Sequence, residues 1–268
     1  MKVSRAVGKG LAVTHKGWPS IVVLFVFYGI IRYLAVPKEE IPPYWRSSGD
    51  WSLLFILVAF SIVGLSYFWG GVCAFARDGI KEDKYRFKTF FGNCSRYFIR
   101  ELCLTLIIGV PFWLISVITI ALLGGAVSLL DDNLFTALVL GTASLILFIL
   151  CVVFAVLSSF SWTIMVADDQ GILKPIAKSL LFAGQRFFRI IGFCALLFVI
   201  IIAVSLVVWV CYAFVVQGIR RLDLDGGIIV LREIVGCALN AYFLLFIASS
   251  FMAYYVNRDR PPIKMRTE

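Results

Sequence analysis

The sequence predicts an all-α integral membrane protein. Six transmembrane helices, amphipathic interfacial helices in the cytoplasmic loops and a tandem parallel repeat of helix pairs are expected. Three observations lead there. First, 61% of the 268 residues are apolar and only 15% are charged, where a soluble domain carries about 25% charged residues. That much apolar surface cannot be hidden in water, so the solvent is a bilayer. Second, the apolar residues fall in long continuous runs. Third, Lys and Arg alternate sides from one connecting segment to the next.

The runs, in order, are 18–36, 51–76, 101–130, 134–167, 187–216 and 228–256. A spanning helix needs about 20 mostly apolar residues, and these runs are of that length or longer. They are continuous rather than alternating, which argues against the strands of a membrane barrel. The first run follows Lys2, Arg5, Lys9 and Lys16. It is longer than the apolar part of a signal peptide, and Leu34-Ala35-Val36-Pro37 is a poor cleavage site. It therefore reads as an uncleaved first span. The outer loop after it holds Pro42-Pro43, which cannot sit inside a span, and Tyr44, Trp45 and Trp51, which suit the membrane–water interface. The later outer turns, around Asp131-Asp132-Asn133 and Gly218–Gly227, are short. With no long polar segment between runs, the chain reads as one polytopic membrane domain over 1–268.

Orientation follows from charge. If the six runs all span, nineteen of the 25 Lys and Arg lie in the N-terminal segment, the second and fourth connections and the C-terminus. Four lie on the opposite side: Lys38, Arg46, Arg220 and Arg221. Basic residues gather on the cytoplasmic face, so both termini are expected in the cytoplasm of a cell carrying this protein in its inner membrane. The net charge of +9 is thus a topology signal, and no nucleic-acid partner is expected.

The second and fourth connections also resemble each other. Trp69, Asp78, Gly79-Ile80 and Arg96-Tyr97-Phe98 match Trp162, Asp169, Gly171-Ile172 and Arg186-Phe187-Phe188, roughly ninety residues apart. Two such units in one orientation would form a parallel repeat. Both connections have helical periodicity. In Arg77–Arg100, Phe87, Phe90, Phe91, Cys94, Tyr97 and Phe98 share a face, with Lys84, Lys88, Arg96 and Arg100 along another. In Ala167–Arg189, Leu173, Ile176, Ala177, Leu180, Leu181 and Gly184 share a face. Lys174 and Lys178 lie off it, and Arg186 and Arg189 follow. Pro175 suits a first helical turn. Such helices can lie in the headgroup layer with their bases toward lipid phosphates. The eight bases just named are the candidate anionic-lipid contacts. The N-terminal segment Lys2–Lys16 reads as a third, weaker interfacial helix.

Little points to catalysis. The one histidine, His15, leaves no base for a serine nucleophile, and no HExxH motif, Walker A loop or nucleophile elbow is present. The seven cysteines are unpaired in pattern and mostly lie inside apolar runs, so they read as packing residues. Asp223-Leu224-Asp225-Gly226-Gly227 lacks the closing Glu of a calcium loop. No catalytic residue, metal or cofactor is expected. The candidate intramembrane polar site is Asn240, Glu101 and Arg232. Asn240 is expected to be buried as a contact between helices, and Glu101 to pair with Arg100 or Arg77.

The residues DGI…FFGNCSRYFIR, ADDQGILKPIAKSLLFAGQRFFR and the closing MAYYVNRDR carry a family resemblance. The chain resembles the multi-pass membrane domain associated with glycerophosphodiester phosphodiesterases and its stand-alone relatives. The resemblance covers nearly the whole chain and implies a six-helix membrane domain linked to envelope or lipid homeostasis. The catalytic barrel has no counterpart here, so it implies no hydrolase residues. The expected role is a non-catalytic scaffold acting through basic interfacial helices, with a transporter or permease component for a small or lipidic solute as the alternative. Expected partners are the bilayer, through anionic headgroups on the cytoplasmic face, and a second copy or another membrane protein.

Overall fold

A computed structural model describes residues 3–35, 50–83, 85, 87–130, 133–220 and 225–257. Every regular element among them is a helix: α1 (Val3–Lys16), α2 (Trp18–Ala35), α3 (Asp50–Glu82), α4 (Phe90–Ser128), α5 (Leu134–Ser158), α6 (Ser161–Asp168), α7 (Leu173–Gln185), α8 (Phe187–Arg220) and α9 (Asp225–Val256). A 3₁₀ turn, Phe87–Thr89, leads into α4. Among the described residues, five stretches are long and apolar enough to cross a membrane: Val58–Glu82, Phe87–Ser128, Leu134–Asp168, Phe187–Gly218 and Val230–Val256. The remaining expected span, 18–36, corresponds to α2, which forms a pair with α1 bent by 78°. Counting that pair as one span, the described residues hold up to six stretches able to cross by length and composition. Large apolar side chains such as Trp113, Ile120, Phe135 and Phe148 are exposed along α4 and α5, as a bilayer solvent allows.

The connections differ in detail from the expectation. Arg77–Arg100 forms no helix of its own. α3 runs on to Glu82, and the aromatic-basic stretch is the first part of α4. At 39 residues, α4 is about 58 Å long at about 1.5 Å per residue, nearly twice the about 30 Å hydrocarbon layer. The fourth expected span breaks at Ser159-Phe160 into α5 and the short α6. The Asn133 side chain starts α5 by accepting the Thr136 N–H at 3.1 Å. Asp169 ends α6 in the left-handed region, at φ 48°, a conformation that Asp tolerates better than most residues.

Where the sequence reads as one domain, the backbone contacts group the chain into two compact units: Met1–Phe98 with Gly192–Glu268, and Ile99–Ile191. In the first unit α9 is the common partner of α1, α2 and α3. The buried side of α1 is Ala6, Val7, Gly10, Val13 and Thr14, a stripe at helical spacing. It crosses α9 at Ser250, and Lys9 reaches Asn257 Oδ1 at 3.4 Å. The turn after α3 is held to the end of α1 by Lys16, whose ammonium lies 3.5 Å from Asp83 and 4.6 Å from the Tyr85 ring centre. Burial pushes the Tyr85 phenol above its ordinary pKa, against the pull of Lys16. Phe193, at the start of the first unit's part of α8, packs against Phe251 and Tyr254 of α9 at 5.2 and 4.8 Å between ring centres.

The second unit is built on α5, α6, α7 and most of α4. Ser144 Oγ donates to the Thr119 carbonyl at 3.0 Å, joining α5 to α4. α7 packs on α5 and α6.

Candidate functional site

Helix α7 is anchored by its small residues. Pro175, Ser179 and Ala183 are buried, one helical turn apart. Ser179 Oγ donates to the Leu157 carbonyl at 2.6 Å, and Phe182 packs edge-on against Phe160 at 5.0 Å. This settles which face points outward. Leu173 is 72% exposed and Leu181 67%, and Leu180, Ala177 and Gly184 are exposed too. The apolar face read from the sequence is therefore the outer face of α7, with Ile176 at its half-buried edge. Beside it, Lys174 is exposed, and Lys178 bonds Asp168 at 3.1 Å. Arg186 lies over the Phe182 ring at 5.0 Å. At the start of α8, Phe188 is 85% exposed and Arg189 is exposed.

The first basic row is less uniform. Lys84 lies outside the described residues. Lys88 and Arg96 are exposed, and Arg96 lies 5.5 Å from the Tyr97 ring centre. The aromatic face expected there splits. Phe90, Cys94 and Tyr97 are buried, while Phe91 is exposed. Tyr97 is fixed by its hydroxyl, which accepts from Arg77 Nη1 at 3.0 Å, and Arg77 also bonds Asp78 at 2.8 Å. Arg100 turns to Asp169 at 3.0 Å. Neither arginine is shown bonded to Glu101, contrary to the expected pairing. Glu101 is fully buried, and neither carboxyl oxygen has a hydrogen-bond partner.

Of the other two members of the candidate polar site, Asn240 is exposed on α9 rather than buried between helices, and Arg232 is exposed near the start of α9. They are eight residues apart on one helix, about 12 Å along its axis. The charge contact near them is one the sequence reading missed. Arg32 of α2 bonds Glu233 of α9 at 2.7 Å, both half-exposed. The signal was present, since a charge inside an apolar run requires an opposite partner. Among the described residues, no group of three His, Cys, Asp or Glu comes together as a metal site would need. An apolar groove of about 320 Å³ lies between the end of α4 and the start of α5. It is lined by Ala126, Leu130, Ala137, Leu138, Gly141 and Thr142, among others.

Comparison with protein-family models, with curated proteins and with solved structures found no match to this chain.

Proposed function

We propose that the protein is a non-catalytic scaffold of the cell membrane that holds anionic lipid on its cytoplasmic face through α7 and the start of α8. The observation that carries this reading is the outward stripe of Leu173, Leu180 and Leu181, with Lys174 beside it. A helix on a water-facing surface would turn such a stripe inward. In a headgroup layer the same stripe enters the acyl boundary and the lysines meet phosphates. Lys88 and Arg96 on the stem of α4, in the first unit, are proposed as separate lipid contacts. The parallel repeat and both cytoplasmic termini belong to the same reading, and the family resemblance supports a role in lipid or envelope homeostasis.

The test uses the full-length protein in mixed detergent micelles carrying either phosphatidylglycerol or phosphatidylcholine, with retained lipid read by native mass spectrometry. Phosphatidylglycerol should be retained in preference, and less so at high salt. Each basic residue near an anionic surface contributes about 1 kcal/mol. Lys174→Glu with Arg189→Glu should therefore lower phosphatidylglycerol retention by at least about tenfold and leave phosphatidylcholine unchanged. Equal retention of the two lipids by the unaltered protein would sink the proposal.

A further inference from the structure

Among the described residues, Glu101 is a buried carboxyl without a hydrogen-bond partner. Glu101 sits where α4 passes from its basic stem into its apolar run. It is fully buried, and both oxygens lack a hydrogen-bond partner. Two ties bracket it. One residue before it, Arg100 bonds Asp169 at 3.0 Å. One turn after it, the Thr105 hydroxyl accepts from Trp162 Nε1 at 3.3 Å. Both aspartates at the end of α6 are matched to bases, and Lys174 of α7 is exposed. Asp169 takes Arg100, and Asp168 takes Lys178 at 3.1 Å. No base is shown against Glu101.

An ionised carboxylate so placed would lack both a countercharge and a donor, which burial makes unfavourable. A bound proton removes the charge and converts the group from acceptor to donor.

We infer that Glu101 is a proton-binding site: a neutral carboxylic acid in the second unit, carrying one exchangeable proton at the end of the bilayer where the basic residues gather. It is independent of lipid binding by α7. Its ligand is the proton itself, so it requires no cavity.

Infrared difference spectroscopy on the full-length protein in lipid nanodiscs at neutral pH tests this. The unaltered protein minus Glu101→Gln should show the carbonyl stretch of a protonated carboxylic acid, and that band should shift in D₂O. Glutamine keeps the shape and the neutrality, so the variant should melt at the same temperature as the unaltered protein. Should it fail to fold, ¹³C-glutamate labelling of the unaltered protein gives the same reading, because the acid band then moves with the isotope. If carboxylate bands are lost in the variant instead, Glu101 is ionised and the inference is wrong. An acid band that never responds to D₂O would overturn it too, because the proton would be locked in place.

Discussion

Replacing Gly10 by valine should release α1 from α9. A Cβ built at Gly10 meets the Ser250 side chain and also its backbone, at 2.8 Å from Cα and 2.9 Å from N. Backbone cannot rotate away as a side chain can, so the two helices must separate. Overpacking of this kind costs about 1–3 kcal/mol. The apolar contacts of Ala6, Val7 and Val13, all buried, would be loosened with it. The measurement is limited trypsin digestion of the protein in membranes, read at Arg5, Lys9 and Lys16. At about 2 kcal/mol, cleavage there should speed up by roughly thirtyfold, since opening population follows free energy. Removing the Ser250 hydroxymethyl with Ser250→Gly should not restore protection, because the backbone conflict remains. Unchanged cleavage in Gly10→Val would mean that α1 does not sit on α9 as described.

Gly71→Ala should also destabilise the first unit, but in a way that can be repaired. The new Cβ would overlap Cys94 Sγ, with Phe90 O next at 3.2 Å. The main obstacle is one buried side chain, and Cys94→Ala removes it. Each single change is expected to cost about 1–3 kcal/mol, one by overpacking and the other by an underfilled site. The double variant should recover part of the loss, giving a favourable coupling of about 1 kcal/mol or more. Thermal unfolding followed in detergent by tryptophan fluorescence checks this. Strictly additive losses would show that α3 and α4 do not meet at this point. Gly10 and Gly71 thus separate two causes of close packing, one backbone against backbone and one backbone against a thiol.

The existence and type of the helices were legible, because runs of this length and polarity admit little else in a bilayer. Their ends were less so. The stem of α4 and a helix lying in the headgroup layer have the same amphipathic period, so periodicity cannot say whether Phe87–Arg100 continues into the span. The break at Ser159-Phe160 has no Gly or Pro to announce it; Ser158 and Ser159 instead turn their hydroxyls back to the Phe154 and Val156 carbonyls. The Glu101 expectation failed for a geometric reason. Adjacent helical residues point about 100° apart, so Arg100 and Glu101 do not face each other, and Arg100 found Asp169 across the fold. Asn240 failed for another. A helix apolar nearly all round does not announce which side is inward. The seat of α1 was invisible locally, because Gly10 and Ser250 are far apart in the chain.

That seat has a consequence for biosynthesis. The first helix rests on the last, whereas residues 99–191 form their unit from one unbroken length of chain. During vectorial synthesis the middle unit has all its partners as soon as its own helices have emerged. α1 must wait for α9, the last of the described helices to leave the ribosome. For that interval its apolar stripe is a client without a host, available to lipid, to an insertion factor or to a chaperone. The slow, long-range step in assembly is therefore expected once α9 has emerged and α1 can reach it.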